Sequence, residues 1–216
     1  MKQTNPTLEY HPVTPERLPD LELFSREHGK FGYCSCMRWR LRSTEYQRST
    51  REQRVAGLIE RVNQNIPIGV LGYVGDRPVA WCSIAPRETY AALERYQALG
   101  RIDEAPAWAV ACFFIDRSVR RQGVTLGLLK AAVAYAVSQG AQIIEGYPVE
   151  PDAKLYTYMG ATATFEKAGH QECQAGRERQ EHDQKDCRDR CRKISGELAT
   201  KHQESGTHVN APFRPS

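Results

Sequence analysis

The residues best placed to do chemistry lie where an apolar run meets an arginine-rich loop. Trp108-Ala109-Val110-Ala111-Cys112-Phe113-Phe114-Ile115 is unbroken hydrophobic, and Asp116-Arg117-Ser118-Val119-Arg120-Arg121-Gln122-Gly123-Val124-Thr125 follows it. Beyond the loop, Leu126, Leu129, Val133 and Ala136 recur at helical spacing as far as Gly140. An apolar run of this length reads as a strand covered on both faces. The first turn of the helix that follows leaves backbone N–H groups unpaired and carries roughly half a positive charge. Gly123 removes the side chain from that turn, and Arg120 and Arg121 add cations, so the pattern predicts a seat for a pyrophosphate. Two familiar seats are excluded. A Walker A loop needs a Lys-Ser/Thr pair after its second glycine, and a dinucleotide fingerprint needs three glycines where this turn has only Gly123. The bland alternative is a surface turn with a solvated arginine pair.

What remains, Arg120-x-x-Gly123-x-Thr125 on a strand-to-helix junction, resembles the coenzyme A loop of the GCN5-related N-acetyltransferases, written Gln/Arg-x-x-Gly-x-Gly/Ala. Thr125 departs at the last position but keeps its N–H. Ala161-x-x-x-Phe165-x-Lys167-x-Gly169 resembles that family's Ala-x-x-Leu-Tyr-x-Lys-x-Gly-Phe, with Thr164, Phe165 and His170 standing for the Leu, the Tyr and the final Phe. The resemblance covers residues 8–170 and is strongest over 108–147. With Cys34-x-Cys36-Met37-x-Trp39-Arg40 and Glu145-Gly146-Tyr147-Pro148, the chain resembles an uncharacterised bacterial branch of these enzymes.

The resemblance implies an α/β fold with a mixed central sheet flanked by helices. It implies acetyl-CoA as co-substrate, no metal, and transfer of the acetyl group to the amine of a small molecule by direct attack in a ternary complex. Phe113 and Ile115 would run beside the pantetheine, and Arg120, Arg121, Gln122, Gly123, Val124 and Thr125 would surround the pyrophosphate. The proton-transfer roles are less defined. Phe165 has no proton to give, so Tyr156 and Tyr158 become the candidate acids, and their alternative reading is core or rim aromatics. Glu145 is the candidate base because it interrupts an apolar segment; a carboxylate facing solvent or paired to an arginine reads equally well. Arg38, Arg40 and Arg87 would suit an acceptor bearing a carboxylate or phosphate, although arginines are more often solvated. A rival class is a coenzyme A-binding sensor or interaction module that has lost catalysis. A homodimer is compatible with either reading.

Around these residues the pattern predicts a strand at Leu8–Val13, and a helix capped by Thr14 with Pro15 at its first position, ending at Gly29. A second helix is predicted to open at Ser49-Thr50 with Val55, Leu58, Ile59 and Val62 on one face. A hairpin follows, its strands at 68–74 and 78–84 turning on Gly75-Asp76-Arg77, then an amphipathic piece from Pro86 to Gly100 and a last strand over Ala141–Pro148.

At 216 residues, 40% hydrophobic and 26% charged, the chain fits one domain at 1–170 followed by a polar tail at 171–216. The tail reads as disordered. A reading-frame shift is a second explanation, since one base of slip across Glu181–Cys187 can spell a strand-like segment. A net charge of +4 with no aromatic-basic platform argues against nucleic acid. No membrane span and no secretory signal are visible, which predicts a cytoplasmic protein. Cys82 and Cys112 read as small buried residues, and Cys34-Ser35-Cys36 is too tightly spaced for a zinc site.

Overall fold

The computed structural model describes residues 7–29, 31, 36–95, 99, 101, 104–149 and 155–170. Its centre is a five-stranded sheet in the order β1-β2-β3-β4-β5, formed by Glu9–Pro12, Val70–Val74, Arg77–Pro86, Trp108–Ile115 and Ile144–Gly146. The first four strands pair antiparallel, and β4 and β5 pair parallel, so the sheet is mixed as expected. Helices α1 (Leu18–Glu27), α2 (Ser43–Arg48) and α3 (Arg51–Asn63) precede β2; α4 (Val124–Ser138) connects β4 to β5, and α5 (Thr162–Lys167) follows.

β4 is apolar throughout because both of its faces are covered. Val110 and Phe113 pack with Leu128, Leu129 and Val133 of α4 in one cluster. Cys112 and Phe114 pack on the other side with Phe24 of α1, Phe31 and Leu58 of α3. Leu128 and Leu129 are fully buried, and each such side chain stabilises the fold by about 1.5–3 kcal/mol. The residues facing α4 change parity along the strand: Trp108 and Val110, then Phe113 and Ile115. The change is a β-bulge. Ser83 lies opposite Cys112 and Ile84 opposite Val110, leaving Ala111 as the extra residue.

Several expected boundaries move. Thr14 makes no side-chain cap, Pro15 opens a single 3-10 turn, and α1 begins at Leu18 and ends at Glu27, short of Gly29. Thr50 does cap α3, accepting from the Gln53 N–H at 3.2 Å. Among its described residues, the piece after Pro86 holds two short turns, Arg87–Thr89 and Leu93–Arg95. β5 shrinks to Ile144–Gly146, since its ladder with β4 runs only from Trp108–Ile144 to Val110–Gly146. The tail at 171–216, Cys34 and Ser35 lie outside the described residues.

Candidate functional site

The strand–loop–helix junction forms where the pattern put it. Gly123 is the N-cap of α4 with φ +75°, a left-handed conformation that glycine adopts without strain. A Cβ built there meets nothing within 4 Å, so the turn opens onto free space. Arg121 is also left-handed, at φ +63°. Left-handed residues alternating with other conformations make a concave row of N–H groups of the kind that holds anions. The first backbone donors of the helix are Leu126 and Gly127, both to the Gly123 carbonyl. Among the described residues, no backbone carbonyl accepts from the N–H groups between Arg121 and Thr125.

Around this turn Arg120 and Arg121 are exposed, Gln122 and Thr125 half-buried, and Val124 is tucked into the core. Arg120 Nε donates to the Ile115 carbonyl at 2.9 Å, folding the loop back against the end of β4. Asp116 braces the loop entrance by accepting from the Ser118 N–H at 2.8 Å and the Ser118 hydroxyl. His28 Nδ1 lies 3.4 Å from the other Asp116 oxygen, and its ring packs against Phe24 and Phe114. Burial pushes the Asp116 carboxyl up, but the Ser118 hydrogen bonds and the His28 and Arg77 charges hold it below the usual range. The sequence offered no signal for this brace, because His28 and Asp116 are far apart in the chain.

The second feature is a gap in the sheet. β5 leaves β4 after Val110, and among the described residues no strand continues beside β4 to Ile115. Phe165 of α5 fills the opening. Its ring lies 6.1 Å from that of Phe113, and Cβ atoms at Gly146 and Gly160 would stand 2.1 and 2.9 Å from it. Those two glycines exist for this ring.

The third feature lies beyond the bulge, where Ala109 and Ala111 share a cluster with Trp39, Tyr90 and Met159, and Tyr147 and Tyr158 pack against it. Tyr158 is therefore brought to the bulge. Tyr156, left-handed at φ +60° and 38% exposed, packs tilted against Trp39 and edge-on against Tyr158, with ring centroids at 5.8 and 6.1 Å. Glu145 Oε2 lies 2.5 Å from Arg87 Nη1 and accepts from the Tyr147 hydroxyl at 2.7 Å. Burial, Glu145 and Arg87 act on Tyr147, and its phenol titrates well above the usual range.

Two expectations about arginine are corrected. Arg87 is fully buried, with Glu145, Glu94 at 3.2 Å, Tyr147 and the Leu99 carbonyl at 2.7 Å as its partners. Arg40 is 2% exposed and donates to the Ile68 carbonyl, Ser83, Tyr90 and Thr89. Both guanidiniums are spent inside the protein rather than presented to an acceptor. Arg38 lies over the Trp39 and Tyr46 rings at 5.2 and 5.8 Å. Cys112 is half-buried rather than buried. No cluster of ligating residues for a metal occurs among the described residues, and no described helix is long and apolar enough to cross a membrane.

Comparison with known proteins agrees with this architecture. Among solved structures, the chain resembles the aminoglycoside N-acetyltransferase AAC(6')-Iy in complex with CoA, at 12% identity and a TM-score of 0.51, covering 84% of this chain and 99% of that one. A GCN5-related N-acetyltransferase from Ralstonia eutropha JMP134 matches at 17% identity and a TM-score of 0.46, over 81% of this chain and 98% of the other. One from Kribbella flavida matches at 17% identity and a TM-score of 0.44, over 76% of this chain but a third (33%) of the other. A search of curated proteins returns no match. The model of the acetyltransferase (GNAT) family matches residues 33–161, which holds the bulge, the cradle and the gap, and the chain belongs to that family.

Proposed function

We propose that the protein is an N-acetyltransferase that moves an acetyl group from acetyl-CoA to the amine of a small molecule by direct attack in a ternary complex. The observation that carries this reading is the left-handed Gly123 turn, open to solvent, at the N-terminus of α4 and beside the unpaired stretch of β4. The pyrophosphate would be held by N–H groups from Arg121 to Thr125 and by the Arg120 and Arg121 charges. Pantetheine would pair with the open edge of β4 near Phe113 and Ile115, as a short added strand does. The bulge at Ala111 turns backbone polar groups out of the ladder, where an N–H can polarise a thioester carbonyl. Holding thioester and amine together provides much of the rate.

For proton transfer, Tyr158 and Tyr156 remain the proposed acids, Tyr158 first because it packs at the bulge cluster. Glu145 remains the proposed base through Oε1, which accepts no hydrogen bond among the described residues, since Oε2 is held by Arg87 and Tyr147. The structural neighbour named for aminoglycoside acetylation supports an amine acceptor of small size, and no particular acceptor is proposed. Residues 1–170 are proposed as the folded unit.

One observation favours the second reading, a coenzyme A-binding module without catalysis: Phe165 brings a ring without a proton to the gap between β4 and β5. Thiol release from acetyl-CoA across a panel of amines separates the two. An enzyme releases thiol in proportion to one acceptor class. A module binds acetyl-CoA and releases none above the protein-free rate.

A further inference from the structure

Arg40 is a buried cation with no carboxylate partner among the described residues. Its donors reach the Ile68 carbonyl at 2.8 Å, Tyr90 at 3.1 Å, Ser83 at 3.2 Å and Thr89 at 3.3 Å, all neutral oxygens. Its Nε has no acceptor among the described residues. A second cation acts on the same region, since burial and then the Arg40 charge lower the Arg61 titration. Sinking a guanidinium without an anion is expensive, so a counter-charge is expected close by.

Among the described residues, Tyr90, Cys82 and Cys36 are the titratable groups of this region that could supply it. Burial pushes the Tyr90 phenol up to about 12 and leaves it neutral. Burial likewise raises Cys82, which faces the opposite cluster. Cys36 differs. Burial pushes its thiol up, but hydrogen bonds from Cys112, Trp81 and Ser83 and the charge of Arg40 more than offset that and lower it. The geometry shows why: Trp81 Nε1 donates to Cys36 Sγ at 2.8 Å, and Ser83 bonds both Cys36 and Arg40. Cys112 Sγ donates to the Phe113 carbonyl at 3.7 Å and also lies within hydrogen-bonding reach of Cys36 in the same cluster. It directly follows the bulge residue and is half-buried, so it is the member of the pair nearer to solvent.

We propose that Cys36 and Cys112 are a redox-reactive pair, with Cys36 the anionic partner of Arg40, and that a peroxide converts them to a disulfide. The thiolate is the reactive form, and a neighbouring thiol resolves the first oxidation product. Turning its S–H from the Phe113 carbonyl to the Cys36 sulfur lets Cys112 pass its proton to Cys36 and attack the peroxide as a thiolate. That step breaks the O–O bond, gives a sulfenic acid on Cys112 and releases hydroxide. Hydroxide takes the proton from Cys36 as water, and the Cys36 thiolate displaces hydroxide from the sulfenic sulfur. In sum, one thiolate, one thiol and one peroxide give one disulfide, one water and one hydroxide; the sulfurs lose two electrons and the peroxide gains them. The bond ties the segment carrying Arg38 to Arg40 onto β4 beside the bulge and takes from Arg40 its counter-charge.

The test uses the full chain and needs no transferase activity. The protein is treated with a small excess of hydrogen peroxide, blocked with an alkylating reagent, digested and read by mass spectrometry. The expected result is a linked pair of peptides carrying Cys36 and Cys112, released by dithiothreitol and still formed in Cys34→Ser. Cys112→Ser removes the linkage while circular dichroism shows the fold intact. Before oxidation, the ultraviolet absorbance of a thiolate is expected at neutral pH in both wild type and Cys112→Ser. An absent linkage in folded wild type, a linkage between Cys34 and Cys36 instead, or no thiolate absorbance in either protein would each overturn the proposal.

Discussion

Arginine occupies two contrasting regions of this molecule. In the cradle, Arg120 and Arg121 are exposed, and among the described residues only the Nε of Arg120 is tied down, to the Ile115 carbonyl. Beyond the bulge, Arg87 and Arg40 are buried and surrounded by partners. The difference lies in whether the charge is already answered. A guanidinium left in water keeps its charge available for an anionic ligand. One that is sunk must be met by the protein, and then it fixes architecture: Arg87 joins β3's end to β5 through Glu145 and to the following turn through Glu94. Composition cannot separate these roles, because both regions are written in the same residue type.

The contrast breaks most sharply at Arg87. Arg87→Met leaves Glu145 without its cation, and stability measured by chemical denaturation is expected to fall by about 3–5 kcal/mol. Arg87→Met with Glu145→Leu should recover part of that loss, because a pair replaced by apolar groups costs less than a pair broken. In contrast, Arg121→Ala should leave the denaturation midpoint within about 0.5 kcal/mol of wild type.

A smaller effect is expected in the gap. Gly146→Ala places a methyl 2.1 Å from the Phe165 ring, and overpacking of this kind costs about 1–3 kcal/mol. In a double-mutant cycle with Phe165→Ala, the two changes should be strongly coupled. Additive costs would mean that the ring does not occupy the gap.

Next comes a pH effect. Burial lowers the His170 titration from its ordinary value of 6.5, so the native state binds this proton less readily than the unfolded chain. Both states are neutral at high pH, so His170 then costs nothing. As pH falls through about 6.5 the unfolded chain takes up the proton first and stability drops, levelling once the native histidine is protonated. His170→Phe should flatten this part of the stability profile, read from melting temperatures between pH 5 and 8. An unchanged slope would assign it to other groups. The smallest effect is expected from deleting residues 171–216, which should leave the melting temperature nearly unchanged if the polar segment buries little apolar surface.

The hairpin, the Thr50 cap and the β4–loop–α4 unit were legible because each depends on local pattern: a turn glycine, a capping threonine, an apolar run followed by a helical stripe. The bulge was not. Trp108 to Ile115 is apolar at every position, so alternation carried no mark of where Ala111 shifts its register. The same holds for the tertiary pairings. Phe165 was recognised as a tyrosine without its hydroxyl, but its position against Gly146 and Gly160 depends on α5 returning to the sheet. Pairing of Glu145 to an arginine was one of its readings, but nothing in the sequence marked Arg87, read as an acceptor ligand, as that arginine. Cys36 was weighed only with Cys34, while its partners Trp81, Ser83 and Cys112 come from β3 and β4. In a chain read linearly, long-range partners of charged and thiol groups leave no trace.

The most direct measurement is acetyl-CoA binding to wild type and Gly123→Val, followed by thermal shift and titration calorimetry. A ligand that binds only the native state stabilises it by mass action, so acetyl-CoA should raise the melting temperature of wild type. Gly123→Val forces a branched side chain into a left-handed turn, at about 1–3 kcal/mol of strain, and puts that side chain into the open space of the cradle. The variant should remain folded and lose more than about tenfold in affinity, or about 1.4 kcal/mol. A folded wild type whose melting temperature does not move at saturating acetyl-CoA would contradict the cradle, and with it the proposed transferase.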